Sequence, residues 1–106
     1  MPRRKQSPVA VITGASSGIG RATAVEFSKR GISVLLASRR KHALNEVADE
    51  CKAFGVEALA VVTDVSDEDA VRNLAHQAFR KFGRLDIWVT NAVVGLYGDF
   101  EHVHRE

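Results

Sequence analysis

Val9-Ala10-Val11-Ile12-Thr13-Gly14-Ala15-Ser16-Ser17-Gly18-Ile19-Gly20 is the stretch that decides the fold. The apolar run Val9 to Ile12 reads as a buried strand. It stops at Thr13-Gly14, and a helical pattern begins near Ile19. Gly14, Gly18 and Gly20 punctuate the turn between them. Glycine serves where a backbone takes dihedrals closed to other residues, or comes close to a ligand. A turn of this kind presents backbone N–H groups at a helix N-terminus, which favours an anion such as a pyrophosphate. Its spacing, Gly-x-x-x-Gly-x-Gly, is neither the phosphate loop ending in Gly-Lys-Ser/Thr nor Gly-x-Gly-x-x-Gly.

Outward from the turn, strand and helix patterns alternate. Ile19, Ala22, Thr23 and Phe27 fall on one helical face that ends near Arg30-Gly31. Ser33 to Ser38 is a second short apolar strand. Leu44, Val47, Ala48 and Cys51 recur at i, i+3, i+4 and i+7, a second helix closing at Gly55. Ala58 to Thr63 is a third strand. Ser66 is the expected N-cap of the next helix, with Asp67, Glu68 and Asp69 suiting its positive end. Val71, Leu74, Ala75, Ala78, Phe79 and Phe82 form its apolar stripe, and Gly83 ends it. Leu85 to Thr90 is a fourth strand.

This β-α-β-α-β-α-β order predicts an α/β, Rossmann-like, doubly wound parallel sheet with right-handed crossovers. Strands without polar alternation suit a sheet covered on both faces. The expected strand order is 3-2-1-4, with two helices on one face and the third on the other. The expected organisation is one partial dinucleotide-binding domain over residues 1–106, with 1–7 a flexible tail and the C-terminal strands of such a sheet lacking.

Composition excludes several function classes. A net charge of +2 is too balanced to argue for nucleic acid or an anionic membrane. Arg3-Arg4-Lys5 reads as a solvated tail. No apolar run is long enough to span a bilayer, and no secretory signal precedes the first strand, so the expected address is the cytoplasm. Cys51 is the only cysteine, which leaves no intrachain disulfide. Its place on an apolar helix face suits a structural thiol better than a reactive one. His102-x-His104 lacks a third ligand at sensible spacing, so no metal site is assigned.

In an open parallel sheet, ligands sit beyond the carboxyl ends of the strands where the order reverses. Four features fall there. They are the glycine turn, Ser38-Arg39-Arg40, Asp64-Val65 and Thr90-Asn91-Ala92-Val93. The first, Thr13-Gly14-Ala15-Ser16-Ser17-Gly18-Ile19-Gly20, resembles the cofactor signature of the short-chain dehydrogenase/reductase family. The other three match that family's pattern in order. The resemblance covers nearly all of this chain but only the N-terminal part of the family's domain.

The resemblance implies a nicotinamide dinucleotide site built from Gly14, Ser16, Ser17, Gly18, Ile19, Gly20, Ser38, Arg39, Arg40, Asp64, Val65, Asn91, Ala92 and Val93. Sites that take NAD carry Asp or Glu at the end of the second strand. Ser38 stands there instead. Losing the carboxylate relieves repulsion against a 2′-phosphate, and Arg39 supplies charge-assisted bonds to it, so NADP is expected rather than NAD. Asp64 resembles the aspartate that accepts from the adenine amino group; it also reads as a carboxylate at the start of the third helix, and the two roles are compatible. Against the family's Asn-Asn-Ala-Gly, Asn91 and Ala92 match, while Thr90 and Val93 depart. Val93 puts a branched side chain where glycine lets backbone approach the nicotinamide end.

The family's proton-transfer group is a Tyr with Lys four residues on and a Ser upstream. Tyr97 is followed at that distance by Glu101, so no catalytic residue is assigned. Two readings follow. In one, the chain is the cofactor half of an oxidoreductase. The whole protein then acts on a small alcohol or carbonyl substrate and forms a homo-oligomer, and the half alone is inactive. In the other, it is a non-catalytic nucleotide-binding or assembly module complete at 106 residues.

Overall fold

The computed structural model describes residues 7–16 and 18–91. Seven elements follow in order: β1 (Val9–Thr13), α1 (Gly18–Lys29), β2 (Ser33–Ser38), α2 (Lys41–Lys52), β3 (Ala58–Val62), α3 (Glu68–Phe82) and β4 (Ile87–Val89). The four strands form one parallel sheet in the order β3-β2-β1-β4, as the alternation of elements predicts. Register runs from Val9 opposite Ser33 to Thr13 opposite Ala37, and from Ala10 opposite Ile87 to Ile12 opposite Val89.

Every residue of β1 and β2 is buried, because each strand has neighbours on both edges and helices on both faces. The pleat then divides their side chains. Ala10, Ile12, Val34 and Leu36 pack with Ala24 of α1 and Leu44, Val47 and Cys51 of α2. Val11, Leu35 and Ala37 pack on the opposite face with Leu74 and Ala78 of α3. Burial raises the Cys51 thiol above its ordinary pKa, so it acts as a core side chain.

Three local expectations are corrected. The buried line of α1 is Gly20, Ala24 and Ser28, whereas Ile19 is 75% exposed and Ala22 is exposed too. The helix approaches so closely that a Cβ on Gly20 would collide with the Gly14 carbonyl, and only small residues fit that line. The N-cap of α3 is Asp67, not Ser66: the Asp67 carboxylate accepts from the N–H groups of Asp69 (2.9 Å) and Ala70 (3.3 Å). The fourth strand is three residues long and only half-buried, because among the described residues it pairs with β1 alone.

The edge strand is pinned where it enters the sheet. Asp86 donates its N–H to the Val9 carbonyl (2.9 Å), and its carboxylate accepts the Val9 N–H (2.9 Å). The same carboxylate receives Arg84 at 2.8 and 2.9 Å. Beside it, no described residue covers the α3 face. Val65, Glu68, Val71, Arg72, Ala75 and Trp88 line a groove of about 530 Å³. Among the described residues, no helix is long and apolar enough to cross a membrane.

Candidate functional site

The parallel sheet brings four strand ends to one edge, with β1 at the centre. At the end of β1 the backbone turns through Gly14 at φ +64° and Gly18 at φ +59°, a region costly for side chains bearing a Cβ. Gly14 carries a second constraint. A Cβ there would meet the Asn91 carbonyl oxygen, so the turn and the end of β4 close on one another. Gly18 differs, because a Cβ there would meet no atom within 4 Å. Its glycine is demanded by conformation and leaves open space at the start of α1, room for an anion on the helix N-terminus.

The turn is tied to both neighbouring strands. The Ala15 N–H donates to the Ala37 carbonyl at 3.2 Å, so it bonds to β2 and is not offered to a ligand. The Thr13 hydroxyl accepts the Asn91 N–H at 3.2 Å and faces the Val89 carbonyl at 3.5 Å. These ties were not legible in the sequence, although a threonine ending an apolar run was the available signal. The Asn91 side-chain amide nitrogen, Nδ2, is buried and has no hydrogen-bond partner among the described residues.

At the end of β2, Ser38 is buried and its Oγ accepts the Arg40 N–H at 3.2 Å. That bond uses an oxygen lone pair and leaves the hydroxyl proton to donate. Arg39 and Arg40 are exposed, and neither side chain makes an ion pair or hydrogen bond among the described residues. At the end of β3, one oxygen of Asp64 accepts both the Ser66 N–H (2.9 Å) and the Ser66 hydroxyl (2.7 Å). These bonds, with the Arg39 charge adding to them, hold the Asp64 carboxyl below the usual carboxylate range. Ile19 at the start of α1 and Val65 next to Asp64 both expose apolar side chains.

The fold thus brings Gly14, Ser16, Gly18, Ile19, Gly20, Ser38, Arg39, Arg40, Asp64, Val65 and Asn91 to one edge of the sheet. Ser17, Ala92 and Val93 lie outside the described residues, as do Tyr97, His102 and His104. Among the described residues, no three His, Cys, Asp or Glu side chains converge to hold a metal ion. The arrangement offers open space at a helix N-terminus, two unpaired guanidinium groups and a pinned carboxylate. Among the described residues it offers no proton-transfer group.

A sequence model of the family described as short chain dehydrogenase matches residues 8–106. The chain belongs to the short-chain dehydrogenase family. Within that family it is 44% identical over 96 residues to an uncharacterised oxidoreductase, YxnA, of Bacillus subtilis (strain 168), covering 91% of this chain and 27% of that protein. Among solved short-chain dehydrogenase folds it is similar to an actinorhodin polyketide ketoreductase with NADPH, at 33% identity and a TM-score of 0.77, over 83% of this chain and 34% of that one. It is also similar to an NAD+-bound xylitol dehydrogenase, at 33% identity and a TM-score of 0.73, over 76% of this chain and 31% of that one. The chain spans between 27% and 40% of the length of the curated relatives it matches.

Proposed function

We propose that this chain is the cofactor-holding part of an NADP-dependent oxidoreductase, which moves a hydride between the nicotinamide and an alcohol or carbonyl substrate. The observation that carries the reading is the end of β2. Ser38 stands where a carboxylate would repel a 2′-phosphate, and Arg39 and Arg40 follow it unpaired. A hydrogen bond to a charged group is worth about 1.5–3 kcal/mol, or about tenfold or more in cofactor choice. The solved relatives include one with NADPH and one with NAD+, so this choice rests on the chain's own residues.

Two observations support the reading: a Cβ on Gly18 would meet no atom within 4 Å, and the buried Asn91 side-chain amide nitrogen lacks an acceptor among the described residues. When bound, the cofactor supplies the hydride chemistry. The chain's part is binding and orientation. The turn and the start of α1 receive the pyrophosphate, Asp64 and Val65 receive the adenine, and Asn91 borders the nicotinamide ribose. No described side chain at this edge is assigned the accompanying proton transfer.

Gly18→Val tests the placement of the pyrophosphate. The branched side chain would occupy the open space, at the backbone cost of a left-handed residue bearing a Cβ. NADPH binding by calorimetry should be lost while the far-UV circular dichroism stays that of the parent. Binding retained at the parent's affinity would refute the placement.

A further inference from the structure

Arg39 and Asp64 follow the paired ends of two adjacent strands: Ser38 lies opposite Val62, and its carbonyl accepts the Thr63 N–H at 2.9 Å. An acidic and a basic side chain released together at an exposed edge are free to pair. Here the carboxylate's bonds go elsewhere, to the N–H and hydroxyl of Ser66 at 2.9 and 2.7 Å. Arg39 is left without an ion pair among the described residues. Capping does not explain the Ser66 hydroxyl, because Asp67 performs that task for α3.

We propose that Ser66 is a positioning residue for cofactor choice: its two hydrogen bonds hold the Asp64 carboxylate off Arg39 and leave that guanidinium for the 2′-phosphate of NADP. The inference rests on the cofactor reading above. The Arg39 charge also contributes, after the two Ser66 bonds, to holding the Asp64 pKa below its ordinary value, in keeping with two groups within electrostatic reach. Without the Ser66 hydroxyl, Asp64 keeps a single backbone bond and gains freedom to turn toward Arg39. NADPH would then compete with an internal carboxylate, whereas NADH, which lacks the phosphate, would not.

The test is the ratio of NADH to NADPH dissociation constants, measured by calorimetry on the purified protein. Ser66→Ala should lower that ratio about two- to fivefold, the span expected of an exposed ion pair. Ser66→Thr should restore it, since the hydroxyl returns. In an Asp64→Asn background Ser66→Ala should leave the ratio unmoved, because a neutral amide does not sequester Arg39. A merely structural role would weaken both nucleotides alike. An unchanged ratio in Ser66→Ala, with Arg39→Asp still collapsing the preference, overturns the proposal. A parent protein that shows no preference for NADPH overturns the cofactor reading itself, and this inference with it.

Discussion

Gly14, Gly18 and Gly20 are separated by the reasons each position excludes a side chain. Gly20 faces the Gly14 carbonyl and Gly14 faces the Asn91 carbonyl, both unyielding backbone. Gly18 faces open space and is constrained by its φ of +59° alone. Gly20→Ala should therefore destabilise the protein by at least the roughly 1–3 kcal/mol of an overpacked interior. Gly18→Ala should cost only the ~1–2 kcal/mol of a left-handed residue bearing a Cβ. Urea denaturation of the two variants checks the order, and equal losses would contradict it. The sequence marks all three glycines alike; only the packing distinguishes the two that seat α1 and β4 from the one that leaves room for a ligand.

The helices show how far a sequence pattern reaches. The stripe of α2, Leu44, Val47, Ala48 and Cys51, is buried as its spacing predicts. The stripe of α3 is only partly so, with Leu74 and Ala78 fully buried and Phe79 55% exposed. Periodicity finds the apolar face of a helix but not how much of it has a partner. It misleads in α1, where close approach to the turn favours Gly20, Ala24 and Ser28 over the bulkier Ile19. The strand-end residues were legible because parallel topology fixes where they emerge. Their mutual bonds, Thr13 to Asn91 and Ser66 to Asp64, depend on side-chain direction and were not. The start of α3 offers a direct check. Asp67→Ala removes the acceptor for two N–H groups and should cost about 1 kcal/mol in urea denaturation. Ser66→Ala should cost less, and the reverse order would restore Ser66 as the cap.

Across the whole molecule, the sheet is asymmetric. β2 and β1 are enclosed, while β4 hangs on the sheet by one neighbour and by the Asp86 contacts to Val9. Arg84, and then the Val9 N–H, hold the Asp86 carboxyl below the usual range. A carboxyl whose pKa is lower folded than unfolded adds stability above its unfolded pKa, about 3.9 for Asp. That stability is lost as pH falls through the lower folded value. Acid should therefore loosen the edge strand, and Tm should fall below about pH 4. Asp86→Asn should lower Tm at pH 7 and flatten the acid fall, as followed by thermal denaturation between neutral pH and pH 3. An acid limb of undiminished slope in this variant would move the effect to other carboxylates, such as Asp64 and Glu50, whose pKa values are also lowered.

The central claim is that the carboxyl ends of β1 to β4 hold NADP, with its 2′-phosphate on the arginines after β2. Side-by-side calorimetric titration of the parent and Arg39→Asp with NADPH and NADH tests it most directly. The parent should bind NADPH about tenfold or more tightly than NADH, and Arg39→Asp should remove most of that preference while NADH affinity changes little. Equal affinities in the parent, or equal losses for both nucleotides in the variant, would contradict it.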